Sequence, residues 1–458
     1  MTIDLFKSIL LMLLVVLSGL LTWNVWSYQP TYDTIKSTTA VDVSINEIRS
    51  TSQLIKPSRF LVHGSESDSN YGTSSETEID KLISIIENPT FFNVKPLALS
   101  EEEFKDLVHG VNRLEVIFPS EVPFTSYGEV LEFGDSILPA TTFDRIVVEW
   151  NEEETSTFSV YFVSYDARVV YEAKVEELEE LQELFNLNIV STTSGYQSYF
   201  PYDTGDRILF LPEIRKEEFQ YKYVMERIDS TRFRDALFPD QGEVNTNTNI
   251  LGNETETLYI DRSSLMKVDS LNNTLNYVNP SAETSETSET SETSETSETS
   301  VVGDASELFQ KSHRFVNEHA GWVNDYYLYD LDASNQKITF RLYVKGLPVF
   351  NEQGAAQIDQ EWGEKRIYKY DRSFMILDDY VPAGDTKEMQ SGYEVKETLE
   401  MQEDYDPKLL EDITVAYRMT RDSKNGVLYE LEPMWFYRYK GNWQPVPFDG
   451  GGDLDGLE

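Results

Sequence analysis

The stretch KITFRLYVK, Lys337–Lys345, alternates strictly. Ile338, Phe340, Leu342 and Val344 fall on one side, and Thr339, Arg341, Tyr343 and Lys345 on the other. Successive side chains of a strand point to opposite faces, so this period of two predicts a half-buried antiparallel strand. The near-continuous apolar runs of a parallel sheet would look different. KRIYKYDRSFM, Lys365–Met375, reads as its neighbour. Upstream, Asp304 and Glu307 can cap a helix with the apolar face Leu308, Phe309, Phe315 and Val316, which Gly321 ends. Downstream, Asp406-Pro407 sets a cap residue before a proline at the first helical position. Leu409, Leu410, Ile413, Ala416 and Tyr417 then form a stripe that predicts a second helix. GVLYELEPMWFYRYK, a Lys440–Gly441–Asn442 turn and WQPVPF predict a closing hairpin. A helix-then-strands unit is thus expected twice in a C-terminal α+β domain over 301–448, with an acidic tail over 449–458.

Working outward, residues 281–300 repeat Ser-Glu-Thr with nothing apolar beyond Ala282. Such a segment cannot bury enough surface to offset the entropy of ordering, so a disordered linker, extended by its own charge, is expected. Before it, residues 216–280 read as a central α+β domain. FQYKYVME is extended, DSTRFRDALFP is a short helix, TLYIDRSSLMKVDSLNNTLNYVNP is two or three strands, and PDQGEVNTNTNILGNETET is a turn-rich loop. Residues 29–215 read as an N-terminal α+β domain. SETEIDKLISIIENP offers a capping box (Ser75, Glu78) and an apolar stripe, and SEEEFKDLVHG offers another box (Ser100, Glu103) with Gly110 as C-cap. The strand-like runs NRLEVIFP, FDRIVVEW, TFSVYFVSY and ARVVYEAKV precede a helix in VEELEELQELFN, and YQSYFPY and RILFLPE follow it. This order carries no repeating βαβ unit, and the fold class is α+β.

The N-terminus is different in kind. No charged side chain occurs from Ser8 to Tyr32, and SILLMLLVVLSGLLTW is almost wholly apolar. About 20 such residues cross a bilayer core, so residues 8–28 are expected to be one transmembrane signal anchor. Residues 1–7 would be cytoplasmic and the bulk extracytoplasmic. Trp23, Trp26 and Tyr28 sit where interfacial aromatics belong. A cleaved signal peptide would need small residues where TWNVWSYQP has bulky ones. Small and hydroxyl side chains mark contact faces between helices in lipid, which singles out Ser18, Gly19 and Thr22, extended by Ser8, Met12 and Val15, as a seam for a partner helix.

Charge and composition exclude several classes. The chain of 458 residues carries 81 acidic and 38 basic side chains, a net charge of −43. Nucleic acid is therefore not an expected partner, since that binding rests on Lys and Arg neutralising phosphates. With zero cysteines there is neither a disulfide framework nor thiolate chemistry, nor a lipoprotein anchor. No Gly-x-Ser-x-Gly elbow or phosphate-binding glycine loop occurs. Of the four histidines (His63, His109, His313 and His319), the last two do not share a helix face and read as satisfied surface residues. No catalytic, metal or cofactor site is expected. An aromatic content of 13% is assigned to sheet packing rather than to a sugar platform.

LTWNVWSYQP (Leu21–Pro30) after an N-terminal span resembles the opening of the YycH family, accessory regulators of the WalK (YycG) sensor histidine kinase in low-GC Gram-positive bacteria. NYVNP, FVNEHAGWVNDYYLYDL, ITFRLYVKGLPVFN and IYKYDRS are similar to that family too. The resemblance implies a non-enzymatic, membrane-anchored protein without cofactors. It would act with a similarly anchored YycI partner and contact the kinase within the membrane and outside it, in a system that controls cell-wall metabolism. It also implies a YycI-like fold for the C-terminal part, whereas the sign of regulation does not carry over. Two other classes compete: an anchored module that senses a wall-derived ligand, and a wall-acting enzyme, which the missing motifs disfavour.

Overall fold

The strand that opened the sequence analysis forms as expected, with Ile338, Phe340 and Leu342 at most 1% exposed, but its other face is covered as well. Arg341 is buried, its guanidinium lying 4.5 Å from the Tyr329 ring centre and 4.3 Å from that of Phe350. It donates to Val349 O and Gln357 Oε1. An alternating strand is therefore a central one here, because an arginine can be buried when aromatic faces and acceptors take its charge.

The computed structural model describes residues 48–64, 69–149, 157–176, 195–238, 243–251, 254–282, 298–319, 321–381, 385–422 and 426–448, together with Leu11, Met12 and Ser18. The chain divides into two units, Met1–Ile45 and Asn46–Glu458. In the first, Leu11, Met12 and Ser18 are helical and exposed, and the rest of the expected span over 8–28 lies outside the described residues. Among the described residues, no helix is long and apolar enough to cross a membrane.

The second unit is α+β. Its helices are α1 (Thr51–Leu54), α2 (Glu76–Glu87), α3 (Glu101–His109), α4 (Phe124–Tyr127), α5 (Ser230–Leu237), α6 (Glu298–Glu318) and α7 (Gly392–Glu400). Ten described strands form the first sheet: β1 (Arg59–His63), β2 (Asn70–Thr73), β3 (Thr90–Leu97), β4 (Arg113–Pro123), β5 (Glu132–Phe133), β6 (Thr142–Glu149), β7 (Thr157–Ser164), β8 (Val169–Glu176), β9 (Gln197–Asp203) and β10 (Ile208–Pro212), in the order β10-β9-β2-β1-β4-β6-β7-β8-β3-β5. After β11 (Glu217–Phe219) come β12 (Tyr221–Arg227), β13 (Asn245–Leu251), β14 (Glu254–Ile260), β15 (Leu265–Asp269), β16 (Thr274–Val278), β17 (Tyr326–Asp332), β18 (Lys337–Val344), β19 (Leu347–Phe350), β20 (Gln357–Trp362), β21 (Ile367–Ser373), β22 (Met375–Val381), β23 (Thr386–Glu388), β24 (Leu410–Arg421), β25 (Leu428–Tyr439) and β26 (Asn442–Pro445). All of these except the β11–β23 pair belong to a second sheet, ordered β13-β14-β15-β16-β21-β20-β18-β19-β24-β25-β12-β22, with β17 beside β18 and β26 beside β25. Strands from 216–280 and 301–448 thus share one sheet, joined where β16 pairs β21.

Several expectations change. KRIYKYDRSFM is not the neighbour of β18, since β20 lies between them. The helix expected after Asp406 is only a 3-10 turn, Pro407–Leu409, with the Asp406 side chain capping Lys408 N, and then the long strand β24. A bulge between Leu410 and Asp412 shifts the strand phase, and Ala416 is buried on the face opposite Ile413 and Tyr417, so Leu410, Ile413, Ala416 and Tyr417 mimic a helical stripe, while Leu409 is exposed. The second helix is instead α7, opened by a Ser391–Glu394 capping box and burying Val395 and Leu399. NTNTNIL, read as loop, is strand β13, consistent with β-branched Thr at every second position. Ser75 caps no amide of α2, and Glu78 pairs with Lys81 instead; the Ser100–Glu103 box on α3 does form. Helix α6 begins at Glu298, inside the last Ser-Glu-Thr repeat rather than near Asp304. Residues 283–297, the tail 449–458 and most of VEELEELQELFN lie outside the described residues. The closing hairpin is as expected, with Lys440 (φ +52°) and Gly441 (φ +79°) supplying the paired left-handed residues of a tight turn.

The two sheets share a core. Phe200, Tyr202, Leu209 and Leu211 from β9 and β10 pack with Val395, Leu399, Leu410, Ile413, Trp435 and Tyr437. Burying each large apolar side chain contributes about 1.5–3 kcal/mol, so this shared cluster binds the sheets into one body.

Candidate functional site

The folded unit begins at a clasp. Arg49 is 8% exposed. Its N–H donates to Asn317 Oδ1 (3.2 Å), its carbonyl accepts from Asn317 Nδ2 (3.3 Å) and His313 Nε2, and its guanidinium donates to Asp325 Oδ1 (2.9 Å). His313 and Asn317 are four apart on α6, so they share a face and reach one backbone segment together. Asn317 Oδ1 also accepts the indole N–H of the buried Trp322 at 2.7 Å. The next residues wind into α1, held by a Ser50–Gln53 capping box. Thr51 and Gln310 both donate to Glu129, and Ser126 on α4 meets Ser306 on α6 at 2.9 Å. Helix α6 is therefore held both by Arg49 and by α4 and the turn that follows it.

A polar cleft of about 230 Å³ opens along the seam between the sheets. Arginines bridge it. Arg59 pairs with Asp412 (3.0 Å), and Arg207 reaches Glu411 O (2.8 Å) and Asp166 (2.7 Å). Arg438 holds Asp330 (3.3 Å) and Glu411 (2.9 Å). Glu121, also on the wall, accepts from Ser164 Oγ at 2.7 Å. Burial first, and the neighbouring Asp144 charge second, push its carboxyl up to about 7. Asp144 is likewise raised, by burial.

The residues singled out from sequence lie elsewhere. Ser8, Val15, Gly19, Thr22, Trp23, Trp26 and Tyr28 lie outside the described residues, whereas Met12 and Ser18 are helical and exposed. His313 and His319 are half-buried rather than surface residues. The former closes the clasp, and the latter stacks on Phe315 at 4.0 Å. Arg49 escaped sequence reading because a lone arginine carries no pattern; the His313–Asn317 spacing was its one legible signal.

Comparison with known proteins places this geometry. Residues 4–188 match the family model described as YycH protein, N-terminal domain, and residues 206–451 that described as YycH protein, C-terminal domain. A curated relative, the two-component system WalR/WalK regulatory protein YycH of Bacillus subtilis (strain 168), is 24% identical over 470 residues, covering 97% of this chain and 96% of its own length. The crystal structure of YycH from Bacillus subtilis has the same fold, with a TM-score of 0.69 at 20% identity over 88% of this chain and 98% of that one.

Proposed function

The chain belongs to the YycH family, and from that premise we propose that it is a non-enzymatic regulator of a two-component sensor histidine kinase of the WalK type. The observation that carries this reading is the match along 97% of the chain to a relative named as a WalR/WalK regulatory protein. In this reading the protein is single-pass, with its N-terminus cytoplasmic, residues 8–28 in the bilayer and the remainder extracytoplasmic. It contacts the kinase and a YycI-like membrane partner through the seam Ser8, Met12, Val15, Ser18, Gly19 and Thr22 as well as outside the membrane, and so acts on cell-wall metabolism. Residues 283–297 serve as a spacer. The clasp supports the reading physically: the first folded residues after the anchor are fixed to α6, so a shift there reaches the segment that leads to the membrane.

The test replaces residues 8–26 by poly-leucine. Retention in the membrane needs only length and apolarity, whereas helix association depends on small residues that let backbones approach. Membrane retention with weakened co-purification of the kinase and altered expression of its target genes is expected. Behaviour identical to the parent in both would reduce the span to a tether.

A further inference from the structure

The two histidines that sequence reading passed over meet in the first sheet. His63 ends β1, His109 ends α3, and Glu115 lies on β4. Their side chains are 2%, 5% and 0% exposed. His63 Nε2 is 3.1 Å and His109 Nδ1 is 3.3 Å from the same oxygen, Glu115 Oε2, and all three atoms lie within 4.8 Å of one another.

Each side chain is oriented from behind. His63 Nδ1 meets Asn70 Oδ1 at 2.8 Å. His109 Nε2 meets Tyr165 Oη at 3.0 Å, and that oxygen also accepts the Ile208 N–H at 3.2 Å. Glu115 turns its other oxygen to Arg145. With Asn70 so oriented, its Oδ1 only accepts, so His63 carries its proton on Nδ1. With Nδ1 so committed, Nε2 is the ring nitrogen left to face Glu115 Oε2, at 3.1 Å, and the one that would ligate a cation placed between them. His109 Nδ1, facing the same point, makes no hydrogen bond. Outer hydrogen bonds that fix the tautomer of an inward-facing imidazole are the usual support of a metal ligand.

Charge agrees with this chemistry. Arg145 is shared between Glu115 and Asp144 (3.5 Å), so the three sum to minus one before the histidines are counted. A net negative charge beside two imidazoles favours a bound cation. The Phe210 ring packs against both imidazoles, with centroids 4.8 and 5.4 Å away, and keeps the site apolar around its ligands.

We propose that His63 Nε2, His109 Nδ1 and Glu115 Oε2 form a buried binding site for a divalent transition-metal ion of the Zn²⁺ class. Two imidazoles and one carboxylate favour zinc over the oxygen-seeking Ca²⁺ and Mg²⁺. Bonds of about 2.0–2.1 Å in a tetrahedron put ligand atoms about 3.3 Å apart. Two of the three separations already stand at 3.1 and 3.3 Å, so loading asks only the two rings to close on each other. The ion staples the C-terminus of α3 to β1 and β4. It has a structural role, and it sits behind Phe210 of β10, the strand that follows the cleft residue Arg207.

The test uses the full-length chain in detergent, stripped with a chelator and titrated with Zn²⁺ in calorimetry, with metal content measured after dialysis. One ion per chain and a raised thermal midpoint are expected. His63→Gln and His109→Gln should each weaken binding at least 100-fold, while His319→Gln leaves it unchanged. Retained stoichiometry and affinity in both site variants would place the ion on the acidic surface and overturn the proposal, as would a folded parent that binds no Zn²⁺. If a variant does not fold, the parent decides. Co²⁺ should give the visible absorption of a low-coordinate nitrogen-ligated ion and shift the imidazole resonances of two histidines, and the spectrum of hydrated Co²⁺ with unshifted histidines would refute the site.

Discussion

Replacing Asn317 by alanine should release the N-terminal clasp. The side chain accepts the Trp322 indole N–H and the Arg49 backbone N–H, and it donates to the Arg49 carbonyl. Trp322 is 1% exposed, so its orphaned N–H costs the full desolvation of that donor, about 1–3 kcal/mol. The two Arg49 backbone bonds count less, about 0.5–1.5 kcal/mol each. His313 still serves the carbonyl, and the Arg49–Asp325 pair, 65% exposed on the aspartate side, contributes little. The sum is about 2–6 kcal/mol, nearer the lower end because His313 keeps the carbonyl, and a sizeable part of the 5–15 kcal/mol typical of a folded domain. Urea unfolding of the full-length chain in detergent reads the stability. Hydrogen exchange reads the locality: amides of Ser50–Ile55 should lose protection while those of β1 keep theirs. Asn317→Asp keeps the oxygen that serves Trp322 and the Arg49 N–H but turns its second oxygen onto the Arg49 carbonyl, so it should spare the Trp322 term and still loosen Arg49. A loss below about 1 kcal/mol for Asn317→Ala, with unchanged exchange in α1, would refute the idea that this side chain holds the start of the folded unit.

Two further outcomes are expected. Glu121 is raised from 4.5 to about 7 in the folded protein, so the folded state binds the extra proton. Stability should therefore be greatest near and below pH 4.5 as far as this group is concerned, fall as pH rises from there to about 7, and then level off. The change is on the order of 3 kcal/mol, and Glu121→Gln should remove it from the pH profile of the urea midpoint. Exchanging residues 283–297 for a Gly-Ser segment of equal length should leave the thermal midpoint within about 1 °C, because the Ser-Glu-Thr repeat has nothing to bury; a drop of several degrees would show that the segment packs.

How far the sequence carried the fold depended on whether the local pattern survived the packing around it. β18, the β25–β26 hairpin and the Ser100–Glu103 cap were legible because period, turn chemistry and capping are local. β24 was not, because a bulge and burial on both faces produced an apolar spacing that a helix would also give. The same holds for side-chain clusters. His63, His109 and Glu115 come from β1, α3 and β4, and only the antiparallel pairing of Val62 with Leu114 brings the first and last together. No spacing in the chain encodes that meeting. The Arg49 clasp is further out of reach, since its partners lie on a helix and loop beyond the Ser-Glu-Thr repeat.

That placement bears on how the proposed regulator would work. Helix α6 begins where the repeat ends, at Glu298, and it grips Arg49 at His313 and Asn317. It also meets α4 and the turn after it, between β4 and β5 of the first sheet, through Ser306 and Gln310, and it borders the second, whose Gln360 donates to Ser312 O. One helix therefore lies between the two sheets and Arg49. Side chains packed at crystal-like density pass a displacement on rather than absorb it. A protein or ligand that altered the angle between the sheets, by breaking Arg59–Asp412 or Arg207–Glu411, would strain α6 and hence the backbone of Arg49. In the proposed reading, the clasp is the point at which an event in the folded unit and a membrane helix would exchange force. Its loss in Asn317→Ala should separate kinase regulation from membrane retention even if the transmembrane seam is intact.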